Sequence, residues 1–162
     1  MAETVVLDAI DREILRLLQL SGRMTNAALA DAVGLTPTPM LQRIRKLEQM
    51  GVILRYAAVV DAEKVGRPVL AFVHVTLKSH EATVHQTLLD LVKQMPEVME
   101  CHHIAGDEDF LLKVAMQNIP ELERLLFRLG ASGTIARIKT TFVLSSAKSS
   151  GPIHIDEAGG AS

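Results

Sequence analysis

The order of hydrophobic patterns in the second half of the chain constrains its fold most. Two apolar runs rich in β-branched residues, 69–77 and 135–144, enclose two amphipathic segments and two further short apolar runs. Alternation at every second residue predicts a strand, whereas recurrence at every third or fourth residue predicts a helix. The resulting order, strand-helix-strand-strand-helix-strand, predicts a ferredoxin-like α+β domain with one antiparallel sheet and two helices on one face.

Turn and helix-ending residues set the boundaries of these elements. Pro96 ends the first helix, Gly130 ends the second, and a Gly-Asp-Glu turn joins the two middle strands as a hairpin. The predicted strands are residues 69–77, 98–105, 109–116 and 135–144, and the predicted helices are residues 81–95 and 120–130.

Both faces of the predicted sheet carry apolar residues. In the first strand, Ala71 and Val73 alternate with Leu70 and Phe72, so neither face is clearly polar. Two helices can cover one face only, and an antiparallel sheet with a solvated face normally shows polar residues there. We therefore expect a second copy of the chain to cover the other face in a symmetric homodimer.

The first fifty-five residues predict three helices. Asp8 is a good N-cap for a helix that ends at residues 21–23, and a short helix follows over about residues 25–33. Thr36 caps a third helix and precedes two prolines, which fit a first helical turn because a missing N–H costs nothing there. Gly51 ends this helix.

The third helix has an apolar face and a polar face. Met40, Ile44 and Leu47 fall within about 60° of one another at 100° per residue and form the core stripe. The opposite face carries hydrogen-bond donors and no acid: Thr38, Gln42, Arg45, Lys46 and Gln49. A short helix, a glycine turn and a polar-basic helix are typical of a helix-turn-helix, whose last helix enters the major groove of double-stranded DNA. The alternative is a three-helix cap with a solvated outer face.

The candidate DNA-binding residues are these five together with Thr36 and Arg43. Glutamine and arginine can read base edges, and threonine, lysine and arginine can hold phosphates. Arg43 lies on the flank of the helix, where a phosphate contact or an internal ion pair is expected instead of a base contact. The net charge of the chain is −2, yet between residues 36 and 55 four cations face Glu48 alone. This local charge favours an anionic partner.

Composition divides the chain into four parts. Residues 1–60 are the predicted winged helix-turn-helix domain, in which residues 52–60 form the strand of the wing. Residues 61–68 are polar, contain glycine and proline, and are predicted to be a hinge. Residues 69–148 are the ferredoxin-like domain for ligand binding and oligomerisation, and the small, polar residues 149–162 are expected to be disordered.

Composition also excludes several classes of protein. One cysteine rules out a disulfide framework and a cysteine-only zinc site. No apolar run approaches the ~18 residues of a membrane helix, and the first residues lack the basic and apolar regions of a secretory signal. We therefore expect a cytoplasmic protein with no membrane partner.

Two segments of the sequence resemble one family. The N-terminal module of the Lrp/AsnC (feast/famine) transcription regulators is similar to the stretch LDAIDREIL…GR…LADAVGLTPTPMLQRIRKLEQMGVI. The signature of their C-terminal ligand and assembly domain is similar to ECHHIAGDEDFLLKV, and the resemblance covers about residues 7–147. It implies a sequence-specific DNA-binding regulator built of dimers, often arranged as octamers, that senses a small amino acid and needs no cofactor. Arg43 matches an arginine that recurs in the third helix of this family.

The resemblance also implies an effector site between subunits, near a Gly-Asp-x-Asp turn. In this sequence the turn is Gly106, Asp107, Glu108 and Asp109. Asp107 or Asp109 can hold an ammonium group and the backbone N–H groups of the turn can hold a carboxylate, although acids in hairpin turns often serve only the turn geometry. His103 stands where the resemblance implies an apolar residue in leucine-responsive members, which favours a polar effector or a loss of sensing.

Three other interpretations compete with an effector-dependent regulator. A metal cluster could draw on Cys101, His102, His103, Asp107 and Asp109, but strand alternation sends His102 to the face opposite its two neighbours, so we predict no metal site. The chain shows no nucleophile elbow, P-loop or HExxH motif, so we predict no enzyme. A ligand-independent architectural protein that bends or wraps DNA remains the alternative function.

Overall fold

A computed structural model describes residues 5–149 and 151–155, which divide into two compact units. The helical unit contains the described residues up to 59 and those from 148 onward, and the sheet unit contains residues 60–147. Among the helices of the described residues, none combines the length and the hydropathy that a bilayer crossing requires.

Three helices form the helical unit: α1 (Ala9–Leu20), α2 (Asn26–Val33) and α3 (Pro37–Gln49). Asp8 caps α1 by accepting a hydrogen bond from the Asp11 N–H at 2.8 Å, and the Asp11 side chain accepts from the Asp8 N–H, which completes a capping box. Thr25 caps α2, and Gly34 ends it in the left-handed region at φ +71°. The three predicted helices are therefore confirmed.

The core of the helical unit is small and apolar. It contains the three predicted residues of α3, each at most 6% exposed, and its full membership is Ile14, Leu15, Leu29, Ala30, Met40, Ile44 and Leu47. Burial of a large aliphatic side chain contributes roughly 1.5–3 kcal/mol, so this core fixes which face of α3 points inward.

The strand predicted over residues 52–60 is wrong. The backbone N–H groups of Val52 and Ile53 bond to the Leu47 carbonyl, and the residues that follow pair with no strand in the described part of the chain. Leu54 and Val59 are 87% and 83% exposed. Apolar residues of this kind form a strand only when a partner strand lies alongside, and the residues that the structure describes supply none here.

Part of the predicted tail is ordered against α1. The Ile153 N–H donates to the Gln19 side chain at 2.6 Å, the Gln19 amide returns a hydrogen bond to the Ile153 carbonyl at 3.1 Å, and Ile155 packs on the helical core. Disorder is therefore the wrong expectation for residues 151–155, because the backbone of Ile153 bonds to Gln19 and the side chain of Ile155 packs on the core. Residues 150 and 156–162 lie outside the described residues.

The sheet unit has the predicted ferredoxin-like topology. Its elements are β1 (Val69–Leu77), α4 (Ala82–Lys93), β2 (Val98–His103), β3 (Phe110–Met116), α5 (Ile119–Ala131) and β4 (Ile135–Phe142). The strands are antiparallel in the order β2-β3-β1-β4. The predicted hinge begins this unit as a folded turn, and Arg67 in it forms a 2.9 Å ion pair with Glu121 of α5.

The two helices cover one face of the sheet. Ala71, Val73 and Val75 of β1 are fully buried in a core that also contains Leu88 of α4 and Leu125 of α5. The interior is apolar throughout, as the β-branched pattern of β1 predicts.

The second sheet face is more polar than expected. Its apolar residues Leu70 and Phe72 are half-buried, but Lys113 of β3 stands opposite Phe72 and Lys139 of β4 stands opposite His74. Strand alternation in β4 sends charged residues to this face, because its apolar residues point to the helices.

Candidate functional site

The outer face of α3 presents its polar side chains to solvent. The structure brings together the five residues predicted there, all exposed: Thr38, Gln42, Arg45, Lys46 and Gln49. No hydrogen bond or ion pair occupies any of these five side chains within residues 5–149 and 151–155. Their donors are therefore available to an external acceptor such as a nucleic acid.

Thr36 occupies the N-cap position of α3 without capping it. Its side chain makes no hydrogen bond to the first turn. A cap normally receives the N–H of the second or third helical residue, and the third residue here is Pro39, which has none. The exposed Thr36 hydroxyl thus stays beside the N-terminus of α3, where an anion is favoured.

Arg43 faces α1 and not the outer surface. Its Nη1 atom lies 2.6 Å from Oδ2 of Asp8 and 2.7 Å from Oδ1 of Asp11. The hydrogen bond from the Asp11 backbone, reinforced by the Arg43 guanidinium, lowers the pKa of Asp8. Of the two roles expected for Arg43, the structure shows the internal ion pair, which fixes α3 against the capped start of α1.

Tyr56 is a neighbour of this face that the sequence pattern did not identify. Its hydroxyl donates to Oε1 of Glu48 at 3.0 Å, and both side chains line a surface cavity of about 300 Å³ together with Arg45. Burial and the hydrogen bond to Glu48 raise the pKa of Tyr56. This hydrogen bond holds Glu48, the acidic residue of α3, beside the donor side chains of the outer face. Only the sequence position of a lone tyrosine just after the helix could have signalled it.

The predicted effector turn connects β2 to β3. Gly106 and Asp107 are exposed, and a Cβ on Gly106 would meet nothing within 4 Å. Among the described residues, the N–H groups of Gly106, Asp107 and Glu108 donate to no protein acceptor. This part of the turn can therefore receive a small anion such as a carboxylate.

The three acids of the turn have different surroundings. Oδ2 of Asp109 accepts the Leu77 N–H at 2.7 Å, which ties the turn to the end of β1. Glu108 forms a 3.2 Å ion pair with Lys139, and this contact lowers the pKa of Glu108. Asp107 has no hydrogen bond or ion pair in the part of the chain that the structure describes. Asp107 is thus the acid of the turn that remains for an ammonium group.

Three histidines gather beside this turn, of which the sequence pattern identified only His103. The His103 ring stacks on Phe110 with centroids 4.9 Å apart, and His85 of α4 lies edge-on to His103 at 5.1 Å. His80 lies 6.3 Å from His85, and its Nδ1 atom is 3.5 Å from Oδ1 of Asp109. The only sequence signal for His80 and His85 is their position at the start of the helix that packs near β2.

Cys101 and His102 do not join the histidine group at the turn. His102 stands opposite Leu111 and contacts Glu100 at 3.2 Å, whereas Cys101 stands opposite Leu112 and packs on the core. Burial raises the pKa of the Cys101 thiol. Among the described residues, no group of three or more potential ligands is placed to hold a metal ion.

Comparisons with known proteins agree with this geometry. Residues 7–53 match the family model "Winged helix-turn-helix DNA-binding", and residues 70–153 match "Lrp/AsnC ligand binding domain". The class of protein is therefore a DNA-binding transcription regulator that carries a ligand-binding domain.

Individual relatives narrow the class to one family. The leucine-responsive regulatory protein of Escherichia coli (strain K12) is 39% identical over 120 residues, which cover 74% of this chain and 73% of that protein. An AsnC family transcriptional regulator from Agrobacterium tumefaciens superposes with a TM-score of 0.84 at 34% identity, covering 91% of this chain and 97% of the other. The chain belongs to the Lrp/AsnC family of transcription regulators, and it is accordingly a regulator and not an enzyme.

One structural neighbour contains an amino acid. A transcriptional regulator from Neisseria meningitidis, solved in complex with L-Met, superposes with a TM-score of 0.86 at 29% identity. The match covers 92% of this chain and 97% of that chain.

Proposed function

We propose that this regulator binds specific DNA sites through α3 and that a small amino acid, bound at the turn between β2 and β3, changes its DNA affinity. The observation that carries the DNA-binding assignment is the outer face of α3, where five donor side chains are exposed and unpaired among the described residues. A helix face that contacts only water can carry acidic residues. A face that binds the phosphates of DNA is expected to lack them, because like charges repel.

The candidate residues on and beside this face have three proposed roles. Gln42, Arg45 and Gln49 read base edges in the major groove, because amides and guanidinium groups make bidentate contacts there. Thr36, Thr38 and Lys46 hold phosphates. Arg43 is a positioning residue, because its guanidinium is already bound by two carboxylates of α1. These residues belong to one helix, so they can enter one groove together.

The proposed effector site uses two accessible parts of the turn and the neighbouring His103 of β2. The N–H groups of residues 106–108 receive the effector carboxylate, and Asp107 receives its ammonium group. Asp109 and Glu108 support the turn through Leu77 and Lys139, and His103 lines the side-chain end of the site. The Neisseria meningitidis neighbour supports an amino acid as ligand, since it was solved with L-Met.

We also propose a homodimer that closes over the second face of the sheet. Leu70 and Phe72 lie on this face and are half-buried in one copy of the chain. A partner sheet would cover these apolar residues, and a second copy of the chain supplies such a sheet.

Association of dimers into an octamer remains a proposal with separate support. Phe127 on α5 is 77% exposed, and Ile119 on the same helix is 53% exposed. Exposed aromatic residues of this kind are enriched at contacts between subunits.

We propose the cytoplasm as the compartment, because the DNA of bacteria lies there and the relatives named above are bacterial regulators.

Selection of duplexes from a random DNA pool by the purified full chain tests DNA recognition. We expect one enriched sequence with at least 10³-fold preference over random DNA and a dissociation constant that rises steeply with salt concentration.

A thermal-shift scan against the twenty amino acids tests the effector site independently. A ligand at one hundred times its Kd adds about 2.7 kcal/mol to the folded state and raises the Tm by several degrees. Absence of sequence enrichment contradicts specific DNA recognition, and absence of any thermal shift contradicts the effector site.

A further inference from the structure

The side-chain end of the effector site is built of imidazole rings. His103 stacks on Phe110 at 4.9 Å, and His85 lies edge-on to Phe110 at 5.5 Å. Phe110 itself is only 2% exposed, because it belongs to the core of the sheet unit and the two histidine rings lie against it. A ligand side chain that enters here therefore meets the imidazole rings. It cannot pack on Phe110, because the surface of that side chain is already buried.

The ring nitrogens of His85 and His103 have no hydrogen-bond partner in residues 5–149 and 151–155. A neutral imidazole offers one N–H donor and one nitrogen acceptor. Two such rings at 5.1 Å thus present both kinds of hydrogen-bonding group to the same space. An aliphatic side chain would leave these groups without partners and displace their water, which lowers its affinity.

The charges around the turn disfavour an acidic side chain. Asp107, Glu108 and Asp109 stand in sequence, and Glu108 alone has a lysine partner, Lys139, at 3.2 Å. Asp109 is satisfied by a backbone N–H and lies 3.5 Å from His80. A second negative charge on the ligand would lie near at least two carboxylates that lack a full cationic partner.

We infer that the effector is an amino acid with a side-chain amide, asparagine or glutamine. The amide donates to one imidazole and accepts from the other without adding charge. This inference rests on the proposed effector site and adds the chemical class of ligand. His85 is thereby assigned as a specificity residue on α4, together with His103 on β2.

Three amino acids of nearly equal shape separate the possible ligand classes. Asparagine, aspartate and leucine differ at the end of the side chain by an amide, a carboxylate and a pair of methyl groups. We would titrate each into the full chain in its native assembly by calorimetry, in buffer with a chelator, and repeat the series with glutamine, glutamate and methionine. We expect the better amide of the two series to bind at least tenfold more tightly than its acidic and apolar counterparts.

Leucine variants of the histidines provide the second arm. His103→Leu and His85→Leu should each weaken amide binding about tenfold and narrow the gap to leucine. The matched control is Gln86→Leu, which places the same side chain one residue further along α4. Gln86 is exposed and bonds to Asp90, so this variant should keep the ligand preference of the wild type.

The outcomes separate the two proposals. Tight binding of leucine, methionine or an acidic amino acid with weak binding of both amides overturns the inference and leaves the proposed effector site intact. Binding of no amino acid at all overturns the effector site and the inference together. Stabilisation by Zn²⁺ in chelator-free buffer, lost in His85→Leu and without any amide effect, would also overturn the inference and make the histidines a metal site.

Discussion

The two units are stabilised in different ways. The sheet unit has a core of fifteen buried apolar residues, whereas the described part of the helical unit has seven and also buries the carboxylate of Asp11. In the helical unit, the capping box and the ion pairs of Arg43 fix the angle of α3 to α1. Polar contacts thus position α3, while apolar packing stabilises the sheet that carries the turn between β2 and β3.

This difference determines which substitutions disturb each unit. Loss of the cation in the helical unit leaves a buried carboxylate unpaired, whereas loss of an apolar side chain in the sheet unit leaves a cavity. The chain contains one tyrosine, Tyr56, in the helical unit, and no tryptophan. Tyrosine fluorescence therefore reports on the helical unit, and circular dichroism reports on both.

The largest expected effect is on the sheet unit. Leu112→Ala removes a fully buried side chain from the middle of β3 and should lower the free energy of unfolding of this unit by about 2–5 kcal/mol. Urea unfolding followed by circular dichroism measures the loss. Leu144→Ala, at a 97% exposed position, is the control and should change little. An equal effect of both variants would contradict the assigned core.

Arg43→Ala tests the polar support of the helical unit. It leaves Asp11 buried without its cation and should destabilise this unit by about 2 kcal/mol, less than for a fully buried pair because the Arg43 side chain is 29% exposed. Tyr56 fluorescence during urea unfolding is the readout. Arg16→Ala breaks an exposed pair with Glu13 and should lower the stability far less, because solvent screens this pair. If both variants behave alike, α3 does not depend on the ion pairs.

Gln42→Ala tests base recognition by the helical unit. We expect a loss of about 1–3 kcal/mol on the selected duplex and a relaxed sequence preference, with no change on random DNA. Gln86→Ala, an exposed glutamine of the sheet unit, should leave both affinities as they are. Equal loss on specific and random DNA would refute the base-reading role of Gln42.

Lys46→Ala should weaken binding to all duplexes to a similar extent. One fewer phosphate contact lowers the slope of log K against log salt by about one unit. Binding measured between 50 and 200 mM salt gives the slope. An unchanged slope removes Lys46 from the phosphate contacts and shifts that role to Thr36 and Thr38.

The smallest effect concerns pH and separates the two units again. The pKa of Asp8 lies below its ordinary value of 3.8 because of the Asp11 backbone hydrogen bond and Arg43. The carboxylate of Asp8 therefore stabilises the helical unit above pH 4, and this contribution is lost as the pH falls through the lowered pKa. Asp8→Asn keeps an N-cap without the charge. It should make the unfolding of this unit, followed by Tyr56 fluorescence, less sensitive to pH between about 5 and 2. An unaltered pH dependence would contradict this.

Local patterns in the sequence predict most of the fold. The bounds of β1 agree at both ends, because a nine-residue apolar run with four β-branched residues lies between a proline and a lysine. The capping residues likewise place α1 and α2. The strand over residues 52–60 could not be judged locally, since a strand depends on a partner that the segment does not contain.

The sequence predicted more of the candidate DNA-binding face than of the histidine group beside the turn. The outer face of α3 follows from helical periodicity alone, because one helix carries all its residues. The histidine group depends on packing between β1, α4 and β2, so only His103, beside the recognised turn, could be identified. Residues 151–155 reach α1 across more than 130 positions of the chain, a contact that no short pattern indicates.

DNA affinity with and without effector tests the central claim most directly. We would measure the dissociation constant of the full chain for its selected duplex at fixed salt, with and without a saturating amino acid from the thermal-shift scan, and record the assembly size in parallel. The account predicts a change in affinity of about 5–150-fold, as expected for coupled sites. Unchanged affinity and unchanged assembly size with every amino acid would contradict it and favour a ligand-independent architectural protein that bends or wraps DNA.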